Sequence, residues 1–171
     1  ALNNLAWLYV EVKAVLPEAE SLASRSVAGY RSRLEILDKE GIVARSGGKD
    51  TAALLEKIEY KQKQYVSEMG RALSTLGHSL FLQDKHKEAI ASWQDALSLT
   101  FPDDEFRARL HYNIGRAYSK SGNASAAETS LRAAFRLTKK TELLRLIGEE
   151  LEILRNLRAP EKNALPSDRP S

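Results

Sequence analysis

Histidines and acidic residues are the residue types in this chain best suited to catalysis or metal binding, but their spacing matches no such site. The three histidines, His78, His86 and His111, have no cysteine partners and form no HExxH-type motif. The segment GGKD at 47–50 lacks the upstream glycine and the following Ser or Thr of a phosphate-binding loop. The sequence also lacks a nucleophile elbow. We therefore expect a protein that is not an enzyme and needs no metal and no cofactor.

The composition indicates a folded domain and argues against two classes of protein. The 171 residues, 43% of them apolar and 29% charged, suffice for one domain or a short repeat array. No segment approaches the roughly 20 consecutive apolar residues of a membrane span, and no signal-peptide pattern is present, so we expect a cytoplasmic protein. The near balance of 26 basic and 23 acidic residues argues against a general nucleic-acid binder.

The first residues, ALNNLAWLYVEV, show helical rather than alternating spacing. Leu2, Leu5, Ala6 and Tyr9 fall on one apolar stripe, with the two asparagines beside it. A helix that begins at the first residue without a cap leads us to expect a fragment of a longer protein.

Three segments of the chain repeat one pattern. Each has a large aliphatic residue, then Ala or Gly, then a large residue three places on, and after a polar turn an Ala with further residues four and seven places later. These positions are Leu76, Gly77, Leu80, Ala89, Trp93 and Ala96 in copy two, Ile114, Gly115, Tyr118, Ala127, Leu131 and Ala134 in copy three, and Leu5, Ala6, Tyr9, Ala19, Ala23 and Ser26 in copy one. The small residues allow two antiparallel helices to approach closely. The pattern thus predicts helical hairpins that stack on one another.

This pattern resembles the tetratricopeptide repeat family, whose unit is a helix–turn–helix of about 34 residues. The opening NNLAWLY together with PEAESLASRSV looks most like the units of kinesin light chain-type repeats. The resemblance covers about three units and implies an all-α fold, in which antiparallel hairpins stack as a short right-handed α-solenoid. It also places Trp93 in the core rather than on a binding surface.

The repeats are spaced irregularly along the chain. We expect a hairpin with a lengthened second helix at 1–40, a loop at 41–50, a long helix leading into the second hairpin at 51–101, a third hairpin at 102–139, a capping helix at 140–158 and a disordered tail at 159–171. The helix before copy two either continues across Gly70 or breaks there. The capping helix carries its apolar residues on one side, namely Leu143, Leu144, Ile147, Leu151, Leu154 and Leu157.

The resemblance implies a concave groove lined by the first helix of each hairpin. The matching positions are Asn3, Asn4, Trp7 and Val10 in copy one, Arg71, Ser74, His78 and Phe81 in copy two, and Arg109, Tyr112, Asn113, Arg116 and Lys120 in copy three. The asparagines could hydrogen-bond a peptide backbone in the groove. Alternatively they are solvated or satisfy local structure.

The composition of this predicted groove suggests its ligand. Its aromatic members could hold apolar side chains, and its cationic members in copy three favour carboxylates. We therefore expect a partner protein or peptide with acidic and hydrophobic residues. Two alternatives stay open: Arg116 and Lys120 form a solvated face, and Phe81 packs against the next hairpin.

Three functions are compatible with the sequence. The leading hypothesis is a non-catalytic protein-interaction module, part of a larger adaptor, scaffold or signalling protein. The second is an architectural module that self-associates through the apolar faces of its end helices, giving a homo-oligomer. The third, RNA binding, is the weakest because acidic residues are spread evenly along the chain.

Overall fold

The computed structural model describes residues 2–11, 15–46, 51–99 and 103–162, with side chains up to 157, and these residues contain seven α-helices and no strand. The helices are α1 (Leu2–Glu11), α2 (Leu16–Ser46), α3 (Ala52–Leu82), α4 (His86–Ser98), α5 (Asp104–Lys120), α6 (Ala124–Leu137) and α7 (Thr141–Lys162). The predicted all-α fold is confirmed. The chain forms two compact units, Ala1–Pro102 and Asp103–Ser171, and each is described by itself.

The first unit is built around two long helices. α2 and α3 have 31 residues each and pack along one another, while α1 packs on α2 and α4 on α3. α3 is continuous across Gly70, which is buried inside the helix. Of the two interpretations of this segment, the uninterrupted helix is therefore the one observed.

The loop predicted to begin at residue 41 begins later. α2 continues to Ser46, so the prediction is wrong for residues 41–46, and 47–50 lie outside the described residues. Gly41 is buried, and a Cβ added to it would lie 3.8 Å from the Cγ2 atom of Ile58 on α3. Gly41 therefore lies in a helix that faces α3 rather than in a turn, and an added Cβ would make only an ordinary van der Waals contact there.

The buried side of α1 also differs from the predicted stripe. Asn3, Ala6 and Val10 are buried, whereas Leu2 and Leu5 keep 38% and 40% of their surface exposed. The predicted apolar stripe is therefore not the buried side of α1, because two of its leucines are exposed and Asn3 is buried. α1 approaches its neighbours on the side of the small Ala6, and this close approach leaves the bulky leucines on the outer side.

Hydrogen bonds join the beginning of α2 to the end of α3. The Oγ of Ser79 donates to the Leu16 carbonyl at 3.0 Å, and the amide of Gln83 and the ammonium of Lys85 donate to the Glu20 carboxylate at 3.0 and 2.8 Å. The hydrogen bond from Lys85 lowers the pKa of Glu20. These contacts fix the register of the two long helices at this end.

The second unit contains the third hairpin and the helix that follows it. The side chains of Asp103 and Asn123 cap α5 and α6 by accepting backbone N–H groups. Leu143, Ile147 and Leu154 of α7 join a core cluster with residues of α5 and α6. This packing fits the predicted covering helix.

The predicted capping helix needs two corrections. Leu157, predicted to lie on its buried side, is exposed because the last turns of α7 extend past the core cluster, which ends at Leu154. Residues 159–162, predicted to belong to the disordered tail, continue α7 to Lys162, and 163–171 lie outside the described residues.

Candidate functional site

The predicted partner-binding residues of copy one divide into buried and exposed members. Asn3 and Val10 are buried on the packing side of α1, so they lie in the core and not on a groove surface. The Oδ1 atom of Asn3 has no hydrogen-bond partner among the described residues. Asn4 is exposed, and Trp7 keeps 53% of its surface exposed. The accessible part of this helix therefore contains Asn4 and Trp7.

The predicted residues of copy two lie on the last three turns of α3. Arg71 is exposed, and its Nη1 is 2.7 Å from the Glu68 carboxylate one turn earlier. Ser74 is half-buried, and its carbonyl oxygen accepts the indole N–H of Trp93 at 3.1 Å. Arg71 thus offers a cation at the surface, whereas the backbone of Ser74 is used to hold α4.

Phe81 packs inside its own hairpin. Its ring centroid lies 6.0 Å from that of Trp93 and 5.3 Å from that of His86, both on α4. His78, one turn earlier, is half-buried. The contacts of Phe81 are therefore those of a core-edge residue, with part of the ring left accessible.

The predicted residues of copy three form one continuous stripe on α5. Their spacing of three, four, seven and eleven residues places them on a single helix face. The stripe, which we call the α5 surface, consists of Arg109, Tyr112, Asn113, Arg116 and Lys120. Arg109 and Lys120 at its ends are exposed, and the three residues between them are half-buried. The structure thus brings all five together within the second unit.

The centre of the α5 surface is an arginine held by two neighbours. The Nε of Arg116 lies 3.3 Å from an oxygen of Glu150 on α7, and its guanidinium carbon lies 5.7 Å from the Tyr112 ring centroid. Tyr112 packs against the core cluster, and its burial raises the pKa of the phenol, so the O–H keeps its proton at neutral pH. A solvated cation is therefore not an adequate description of Arg116.

Arg109 makes a long ion pair with a residue one turn earlier on α5. Its Nε is 4.0 Å from Glu105, whose other carboxylate oxygen accepts the hydroxyl of Thr138 at 2.7 Å. On α7, Arg145 pairs with Glu142 and Glu149. The second unit consequently presents exposed positive charge at the ends of the α5 surface and a paired charge at its centre.

Glu150 is a neighbour of the α5 surface that the sequence analysis missed. From the sequence we expect Glu150, which follows another glutamate, at a helix start or on a solvated face. Nothing in the adjacent sequence connects it with Arg116. The repeat spacing holds no signal for it either, since Gly77 and Gly115 place copies two and three 38 residues apart, and the residue one such unit after Arg116 is Leu154.

In the described part of the chain, no cluster of three or more His, Asp or Glu side chains could hold a metal ion. The same residues include no helix with the length and apolarity required to cross a bilayer. A family model for the tetratricopeptide repeat matches residues 68–140, which contain copies two and three. Neither a curated protein nor a solved structure matches the chain. The likeness of copy one to kinesin light chain-type units lies outside the matched residues and stays a prediction.

Proposed function

Since residues 68–140 belong to the tetratricopeptide repeat family, whose repeats are generally protein-interaction modules and typically non-catalytic, we propose that this chain binds an acidic and hydrophobic segment of a partner protein. The observation that carries the proposal is the α5 surface, where an aromatic ring lies between two exposed cations. The proposal includes a role as an adaptor, scaffold or signalling component in the cytoplasm.

The length of the α5 surface suits a short extended segment. One side of α5 is used for packing, with Ala108, Ile114 and Gly115 buried. On the other side, Arg109 and Lys120 are about 16 Å apart along the helix axis at 1.5 Å per residue. An extended chain advances about 3.3 Å per residue, so carboxylates about five residues apart would reach both cations. An apolar side chain between them would lie over Tyr112.

The first unit offers residues that could contact a partner in a different way. Trp7 is exposed and could anchor an apolar side chain, and Asn4 beside it could hydrogen-bond a peptide backbone. Arg71 adds a cation that is already paired with Glu68. We propose these residues, with His78 and the accessible part of Phe81, as partner contacts of the first unit taken by itself.

Selection from a random peptide library tests this proposal because it lets the chain choose its own ligands. We expect the selected peptides to be enriched in Asp or Glu spaced about five residues apart, with an aromatic or aliphatic residue between them. The double variant Arg109→Glu, Lys120→Glu should bind these peptides about tenfold more weakly or worse, since each exposed carboxylate contact becomes repulsive. Fluorescence anisotropy with a labelled peptide measures the affinity.

The matched control is Lys139→Glu, Lys140→Glu. These two lysines are exposed in the same unit, between α6 and α7, so the control changes the net charge equally. Its affinity should stay within about twofold of the wild type at fixed salt. Equal losses of affinity in both double variants would mean that net charge alone causes the effect. Selection of peptides without acidic residues would exclude the proposed ligand.

Replacing Glu150 by glutamine should strengthen peptide binding. Glu150 forms an ion pair with Arg116 and would repel the carboxylates of the ligand. The glutamine side chain has nearly the same shape as glutamate but carries no charge. We expect the affinity for an acidic peptide to rise about threefold or more. The unfolding free energy should fall by no more than about 1 kcal/mol, because the pair is partly exposed.

Glu128→Gln is the control for this result. It removes one negative charge from another Arg–Glu pair in the same unit, the one with Arg132 on α6. It should leave peptide affinity unchanged. An unchanged affinity in Glu150→Gln as well would show that Arg116 takes no part in binding the peptide.

A further inference from the structure

The far part of the α2–α3 hairpin is a two-helix structure with its own small core. α1 leads into α2, and α4 follows α3, so both short helices lie at the same end of the hairpin. At 1.5 Å per residue they are about 15 and 20 Å long, against about 46 Å for α2 and α3. At the other end, the cluster of Leu37, Ala44 and Ile58, with Leu55 and Tyr65 packed against it, consists entirely of α2 and α3 residues. At that end, the contact between α2 and α3 therefore forms the small core.

An apolar groove runs along one side of this far part. It has a volume of about 590 Å³ and is lined by Ile36, Lys39, Glu40, Val43, Ala44 and Leu54. Ala44 is buried at its floor, whereas Ile36, Val43 and Leu54 are large apolar side chains that remain about half or more exposed. A contiguous patch of this kind is typical of an interaction surface.

The four exposed α2 residues of the groove have a symmetric order, whereas the fifth, Ala44, is buried. Ile36, Lys39, Glu40 and Val43 follow at helical spacing and share one stripe, which reads apolar, basic, acidic, apolar. If a second α2 lies antiparallel, with a two-fold axis between residues 39 and 40, Ile36 faces Val43 of the second copy. In the same register Lys39 faces Glu40 of the second copy, and the reverse pairs form as well. The stripe is therefore complementary to itself in both charge and apolarity.

We infer that this groove, defined by the residues above, is a homodimerisation site. Two hairpins that pack in this way form a four-helix bundle, in which the exposed Ile36, Val43 and Leu54 of both copies become buried. A different protein would need no such symmetric order, which is why a second copy is the occupant that the charges favour. The site shares no residue with the α5 surface, so the inference does not depend on the proposed peptide ligand.

Charge exchange tests the inference directly. We expect sedimentation equilibrium to show wild-type dimers, and Lys39→Glu or Glu40→Lys alone to weaken dimerisation about tenfold or more, because like charges then face each other. A mixture of these two variants should form heterodimers with an affinity near that of the wild type, since each Glu of one chain faces a Lys of the other. The double exchange Lys39→Glu, Glu40→Lys should dimerise alone.

An apolar contact provides the second test, with a matched control. Val43→Asp should abolish dimers, whereas Ile42→Asp should not, although both residues are similarly exposed at 71% and 63%, because Ile42 is not among the residues that line the groove. Equal effects of the two variants would overturn the assignment of the site. So would a wild-type chain that stays monomeric at about 1 mM, a concentration that detects an association of only about −4 kcal/mol.

Discussion

Replacement of Trp93 by alanine is expected to lower the free energy of unfolding by about 3–5 kcal/mol. Trp93 keeps only 1% of its surface exposed, and its ring occupies the space that Gly77 leaves open on α3. The variant loses this packing, the contact with the Phe81 ring and the hydrogen bond from the indole N–H. It also leaves the carbonyl of Ser74 without that donor, which adds to the cost.

The matched control is Trp7→Ala, because the chain has two tryptophans and Trp7 is exposed. Urea unfolding followed by circular dichroism should place this variant within about 0.5 kcal/mol of the wild type. Trp7→Ala also leaves Trp93 as the sole tryptophan, whose emission should be that of a buried indole. A loss below about 1 kcal/mol in Trp93→Ala would contradict the core position.

Copies two and three could be predicted from the sequence because the information that specifies them is local. The hairpins of Gly77 with Trp93 and of Gly115 with Leu131 depend on residues only 16 positions apart, and a small residue opposite a large one fixes which faces meet. The turns between their helices are short, with Asp84 and Gly122 at positive φ. Local pattern and tertiary packing therefore agree, and here the predicted core was confirmed.

The predictions that failed depended on contacts with distant elements. Gly41 has the residue type of a loop, but Ile58 of the opposite helix makes it part of a helix contact. The hydrophobicity of Leu5 predicted burial, but the close approach of α1 through Ala6 left the leucine outside. Neither outcome follows from the residue's own neighbours in sequence, since it is set by which side of the helix finds a partner.

The candidate site shows the same division. The family resemblance implied which residues of α5 to consider, and helical spacing suffices to place all five of them on one face. The sequence did not predict the burial of Asn3 and Val10. Nor did it predict the pairing of Arg116 with Glu150, because each outcome is decided by contact with a second helix. The charge that a residue on a helix surface presents to solvent thus depends on the neighbouring helix as much as on the residue's own type.

Substitution of Gly77 by alanine should destabilise the first unit by about 1–3 kcal/mol. A Cβ at this position would lie 2.7 Å from the Cδ1 of Trp93 and closer still to its Nε1. The rigid indole is buried and hydrogen-bonded, so it cannot move aside without losing its own contacts. This clash outweighs the roughly 1 kcal/mol that alanine gains over glycine in a helix. Gly115→Ala should behave similarly, with its Cβ 2.7 Å from the Cγ of Leu131.

At two other helical glycines, replacement by alanine is expected to change the free energy of unfolding in the opposite direction. Gly29 in α2 and Gly148 in α7 have no packing partner from another element within 4 Å of an added Cβ in the described part of the chain. Gly29→Ala and Gly148→Ala should therefore stabilise their units by about 0.5–1 kcal/mol. Urea titrations of the four variants separate the two effects, because helix propensity acts alike at all four positions. Stabilisation by Gly77→Ala would mean that α3 and α4 do not meet at the close distance on which the repeat pattern depends.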